Sequence, residues 1–131
     1  MVYNNLMSNC STMPENFGAD PAFVQWKVVR GDTSRIRIEF YQEDGVTAYD
    51  ISSWTFASSA YDLKNGGFDS LTVTAGSGYV DITAPANLTA TWGTGQTSVV
   101  TELSFDLQVT ISGEKWTPVL GKITVLADVT I

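Results

Sequence analysis

The chain has 131 residues, 44% of them hydrophobic and 11% aromatic, enough for one domain with a core that needs no metal or disulfide staple. A single cysteine, Cys10, and the lack of any histidine exclude an internal disulfide, a Cys/His zinc site and a Ser-His-Asp or Cys-His catalytic arrangement. Fourteen acidic residues against seven basic ones give a net charge of −7, which argues against nucleic acid and anionic lipid as partners and favours solubility.

Residues 1–22 differ in texture from the rest of the chain. Asn, Ser, Pro and Gly dominate, the apolar residues keep no period, and all three methionines lie here. Two readings stand: a tail that stays in water, or an arm that orders against a neighbouring subunit. Tyr3, Leu6, Met7, Met13, Phe17 and Phe23 are more apolar than a tail needs, which makes them candidate partner-binding residues. The segment lacks the basic start and apolar run of a signal peptide, so no export is expected. The tripeptides Asn9-Cys10-Ser11 and Asn87-Leu88-Thr89 then carry little meaning as glycosylation sites. No run approaches the ~18 apolar residues of a membrane span.

From residue 23 to 131 the texture is β throughout. Val24–Arg30 reads as a first strand closed by Gly31-Asp32, and Thr33–Tyr41 as a second, with Ile36, Ile38 and Phe40 inward. Glu43-Asp44-Gly45 is a tight turn. A short edge over Val46–Ile51 comes next, then strands at Trp54–Tyr61, Leu71–Thr74 and Tyr79–Thr83, with turns at Lys64–Gly67 and Gly76–Gly78. Ala86–Trp92 has no strand period and suits a single helical turn or a 3₁₀ turn before Gly93. Leu103–Ile111 alternates without a break, placing Leu103, Phe105, Leu107, Val109 and Ile111 on one face. A partner strand returns over Gly121–Thr130, with Trp116–Gly121 expected as the middle of the hairpin. About seven to nine short strands, turns every ten residues and no amphipathic helix predict an all-β, two-sheet antiparallel sandwich with an extended N-terminal arm.

Several candidate sites resolve into turns and cores on inspection. Arg30-Gly31-Asp32 spells an integrin tripeptide, but a Gly between two strands makes a turn, with Asp32 expected to bond backbone amides. Gly93–Ser98 lacks the Lys and the helix of a phosphate loop. Asp44, Asp50, Asp62, Asp69, Asp81, Glu102, Asp106 and Asp128 could in principle form a glycosidase pair or a calcium cage, but the sequence gives no two of them a shared pocket. Asp44 and Asp69 suit turns, and Asp81 and Asp106 fall on polar strand faces. No catalytic residue, metal ligand or cofactor is expected. Of the four tryptophans, Trp26 and Trp54 lie in strand runs and belong to the core. Trp92 and Trp116 lie near loops and are candidate surface anchors, for a partner subunit or for a sugar ring.

Taken in order, Arg30–Thr33, Tyr49–Phe56, Gly78–Ile82, the Thr/Ala turn 83–92, Leu103–Val109, Gly121–Val125 and Asp128–Thr130 make up a familiar series. It resembles the small immunoglobulin-like β-sandwich domains of tailed-bacteriophage virions, such as the N-terminal domain of phage baseplate upper proteins. The resemblance covers roughly residues 26–130 and leaves the arm unmatched. It implies a non-enzymatic structural protein of the tail, baseplate or collar, assembled in the host bacterial cytoplasm. Its partners would be other virion proteins and copies of itself in a ring or symmetric homo-oligomer. Alternatives are a capsid decoration protein and a carbohydrate-binding module for host-surface adhesion.

Overall fold

A computed structural model describes residues 21–42, 44–62, 67–92 and 100–127. The arm residues 1–20, Glu43, the turn 63–66, the Gly-rich loop 93–99 and the end of the last expected strand, 128–131, lie outside the described residues.

Seven strands form: β1 (Ala22–Val29), β2 (Ser34–Glu39), β3 (Thr55–Asp62), β4 (Gly67–Ala75), β5 (Tyr79–Ala84), β6 (Val100–Ile111) and β7 (Glu114–Leu126). Hydrogen bonding links them in the order β1-β7-β6-β3-β4-β5-β2. The series folds into two layers because β4 serves both. Its first half pairs with β3 from Asp62↔Gly67 to Ser58↔Leu71, and its second half pairs with β5 from Thr72↔Thr83 to Ala75↔Val80. Lettered by position, β2-β5-β4 are B-E-D and β7-β6-β3 are G-F-C, the two sheets of an immunoglobulin-like sandwich. The described strand pairs are antiparallel except one: β1 runs parallel to β7, from Ala22↔Val119 to Val29↔Leu126.

The period-two faces place the core where the sequence expects it. Leu103, Phe105, Leu107, Val109 and Ile111 of β6 are buried in one core with Val80 and Ile82 of β5 and Val28 of β1. Trp26 packs edge-on to Phe105 at 5.5 Å between ring centres, and Trp54 meets Phe40 edge-on at 5.4 Å. Both indoles are core residues, as their strand positions imply.

The C-terminal hairpin departs from the expectation. Its turn is only Ser112-Gly113, both with positive φ (50° and 83°), so β7 starts at Glu114 and runs through Trp116–Gly121 rather than looping there. A proline inside a strand is tolerated here because the register slips between Leu107↔Val119 and Val109↔Trp116, setting Thr117 and Pro118 opposite Gln108 alone. Such a bulge is where a strand can do without one N–H. The expected edge over Val46–Ile51 reduces to one bridge, Tyr41↔Ala48, beyond a turn in which Asp44 accepts the Val46 and Thr47 amides.

One polar residue ties the turn entering β2 to the segment leaving β5 at the same end of the small sheet. Thr89, fully buried at the end of α1 (Ala86–Thr89), accepts the Gly31 N–H at 3.0 Å and donates its hydroxyl to the Asp32 carbonyl at 2.8 Å. Thr89→Val keeps the volume but strands both partners. It should cost about 1 to 3 kcal/mol in urea unfolding, whereas Thr89→Ser should recover most of the loss. Equal stability of the Val variant and the parent would refute the role.

Candidate functional site

Two features of this framework can meet a partner: the outer face of the sheet formed by β1, β7, β6, β3 and the first half of β4, and the seam where the strand order starts and ends.

On the outer face, strand register sets Phe23 of β1 beside Leu120 of β7, Asp106 of β6 and Ser59 of β3 in one row. Phe23 is 61% exposed and Leu120 44%. The next row holds Gln25, Lys122, Ser104, Tyr61 and Phe68, with Phe68 75% exposed and its ring 4.5 Å from that of Tyr61. The face is thus apolar at both margins and polar between them. Asp106 lies in that middle, and burial pushes its carboxyl above the usual carboxylate range despite a backbone hydrogen bond at Ser59. It is half-buried, not fully solvated as its polar-face position suggests.

At the seam, the edges of β1 and β2 are tied at one end, where the Trp26 indole donates to Ser34 Oγ at 2.8 Å. At the other end they part. The gap is a cleft of about 290 Å³ walled by Ala22, Phe40, Tyr41, Tyr49, Trp54 and Trp116. Its aromatic rings brace one another, Tyr49 lying 5.6 Å from Trp54. At the rim the Tyr41 hydroxyl donates to Glu39 at 2.9 Å, and that bond to a carboxylate raises the tyrosine pKa. The Trp54 indole N–H is buried without a hydrogen-bond partner among the described residues. Buried donors of this kind normally have one.

The residues proposed from sequence distribute unevenly. Phe23 is exposed, as expected of a partner-binding side chain. Tyr3, Leu6, Met7, Met13 and Phe17 lie outside the described residues. Trp92 and Trp116 need correction as surface anchors. Trp92 is 2% exposed, its indole N–H donating to Asp69 Oδ2 at 2.9 Å, and Trp116 is 8% exposed within β7. Proximity to a loop was misleading because the helical turn folds Trp92 inward and the tight two-residue turn leaves Trp116 inside a strand. Asp69 accordingly sits within β4 as the acceptor for Trp92, not in a turn.

The other described carboxylates have separate partners. Asp81 pairs with Arg37 through two bonds of 2.8 and 3.1 Å across the β2–β5 ladder, and Arg37 holds its carboxyl below the ordinary range. Asp44 is held low by the Thr47 hydroxyl and by the Thr47 and Val46 amides, and Asp50 by Ser52. Glu102 lies 3.8 Å from Lys122. The Arg30-Gly31-Asp32 turn uses main-chain groups: Asp32 N–H donates to the Val29 carbonyl, and its own carbonyl accepts from Thr89. The expected Asp32 side-chain capping is replaced by the Thr89 hydroxyl.

Two features went unread in the sequence. Leu120 falls between the inward residues Val119, Gly121 and Ile123, so its outward phase was available once β7 was known to extend to Glu114. The cleft is assembled from four distant stretches and has no local pattern.

No protein-family model matches the sequence, and comparison with curated proteins finds no match. Among solved structures, the chain is similar to one described as the ZIG-8–RIG-5 IG1–IG1 heterodimer in a monoclinic form. That similarity covers 84% of this chain and 86% of that one at 4% identity, with a TM-score of 0.37. The immunoglobulin-like assignment rests on the strand order and on the strand shared between the two sheets.

Proposed function

We propose that this chain is a non-enzymatic structural protein of a tailed-bacteriophage virion, a tail, baseplate or collar component present in several copies. It would act by adhesion, through its sheet edges and N-terminal arm, on copies of itself and on other virion proteins. The observation that carries the reading is the outer sheet face, where Phe23 and Leu120 pair at one margin and Tyr61 and Phe68 at the other. Large apolar side chains left exposed in pairs on one sheet face are contact points for another protein. The series of motifs from Arg30 to Thr130 supports the virion setting.

Backbone ordering costs about 1 to 2 kcal/mol per residue, so only arm stretches anchored by apolar side chains would become fixed on a neighbour. Repetition around a ring then multiplies weak contacts by avidity. Capsid decoration uses the same physics at another station. A sugar-binding role has lost its proposed platform, because Trp92 and Trp116 are both buried.

The double variant Phe23→Asp, Leu120→Asp tests the reading. Surface changes of this kind alter stability by only about 0.5 kcal/mol. Melting should therefore hold while sedimentation of the variant shows loss of the higher-order species formed by the parent. A parent chain that stays monomeric at every concentration would refute the multi-copy reading.

A further inference from the structure

We propose that the cleft between the start of β1 and the end of β2 is the receiving site for the arm of a second copy, and that it seats a methionine from the Met7–Met13 stretch. The inference rests on the multi-copy reading above and names the place where the arm would dock.

Three observations converge on it. The cleft, about 290 Å³, has the volume of a small binding pocket, the low end of which is ~300 Å³. Its lining includes the aromatic residues Phe40, Tyr49, Trp54 and Trp116. An unbranched thioether fills irregular aromatic space well and makes favourable sulfur–ring contacts, and every methionine of the chain lies within residues 1–13. The outer edge of β2 offers main-chain groups to an extended segment.

The multi-copy reading makes a second copy the donor of the arm, and an arm seated in its own cleft is the competing outcome of the test.

The native Cys10 lies three residues from both Met7 and Met13, within about 10 Å of either along an extended chain. The full chain, labelled there with a benzophenone maleimide and irradiated, gives the test. The expected result is a product of twice the chain mass, cross-linked to the Phe40–Trp54 or Trp116–Val119 stretch. Its yield should fall roughly tenfold in Ala22→Glu and in Tyr41→Glu, exposed rim positions whose variants should melt as the parent does. A product of single-chain mass joined to its own cleft would overturn the second copy as occupant. A double-mass product joined elsewhere would overturn the cleft while leaving the multi-copy reading intact. Monomers with no cross-link at any concentration would overturn both.

Discussion

Trp92→Ala should destabilise the chain by about 3 to 5 kcal/mol, the usual cost of emptying a buried aromatic site. For a chain of this size that corresponds to a loss of roughly 10 °C or more in Tm. Two effects add. Removing the indole, only 2% exposed, leaves a buried cavity, and Asp69 loses the N–H that it accepts at 2.9 Å. Trp92→Phe separates them, since the ring remains while the donor goes. It should cost about 1 to 3 kcal/mol, the range for leaving one buried partner unsatisfied. Calorimetry on both variants is sufficient. A Trp92→Ala chain that melted with the parent would show the indole to be a surface group after all.

The second large effect is expected at Gly121. A Cβ built there runs into the Val24 carbonyl oxygen of β1 and the Phe105 ring of β6. Val24 is also the residue that pairs with Gly121 in the β1–β7 ladder, so the smallest side chain wedges the parallel pair apart. Gly121→Ala should cost at least the 1 to 3 kcal/mol typical of overpacking, with β1 released first. Faster proteolysis near Gln25–Lys27 and a red shift of Trp26 emission would report that release. Gly67→Ala is the matched control: nothing lies within 4 Å of its added Cβ, and stability should change by less than about 0.5 kcal/mol. Equal effects at the two positions would contradict the close approach of β1.

Period-two patterning made β2, β5 and β6 legible, because each sets alternate residues deeper than their neighbours. Asp44-Gly45 was readable for the same local reason, since a turn with positive φ at 72° favours glycine. The failures occur where tertiary contacts outweigh local signals. Trp116–Gly121 looked like the middle of the hairpin, yet it lies within β7, where the bulge opposite Gln108 accommodates Pro118. Trp92 looked like a loop residue, yet its partner Asp69 lies 23 positions away. Thr89 gave no signal, since its two main-chain partners come from a turn 57 and 58 positions distant. The cleft was beyond reach for the same reason: Ala22, Phe40, Trp54 and Trp116 meet only once the sheets have folded.

The parallel pairing of β1 with β7 has a mechanical consequence. Ala22 enters the ladder opposite Val119, while Leu126 leaves it opposite Val29, so opposed pulls at Ala22 and Leu126 draw the two strands lengthwise past each other. Every rung from Ala22 to Val29 then bears the load together, instead of parting one after another as in a peeled hairpin. A subunit tethered through its leading segment would hold fast under tension along that axis and yield readily to a sideways tug.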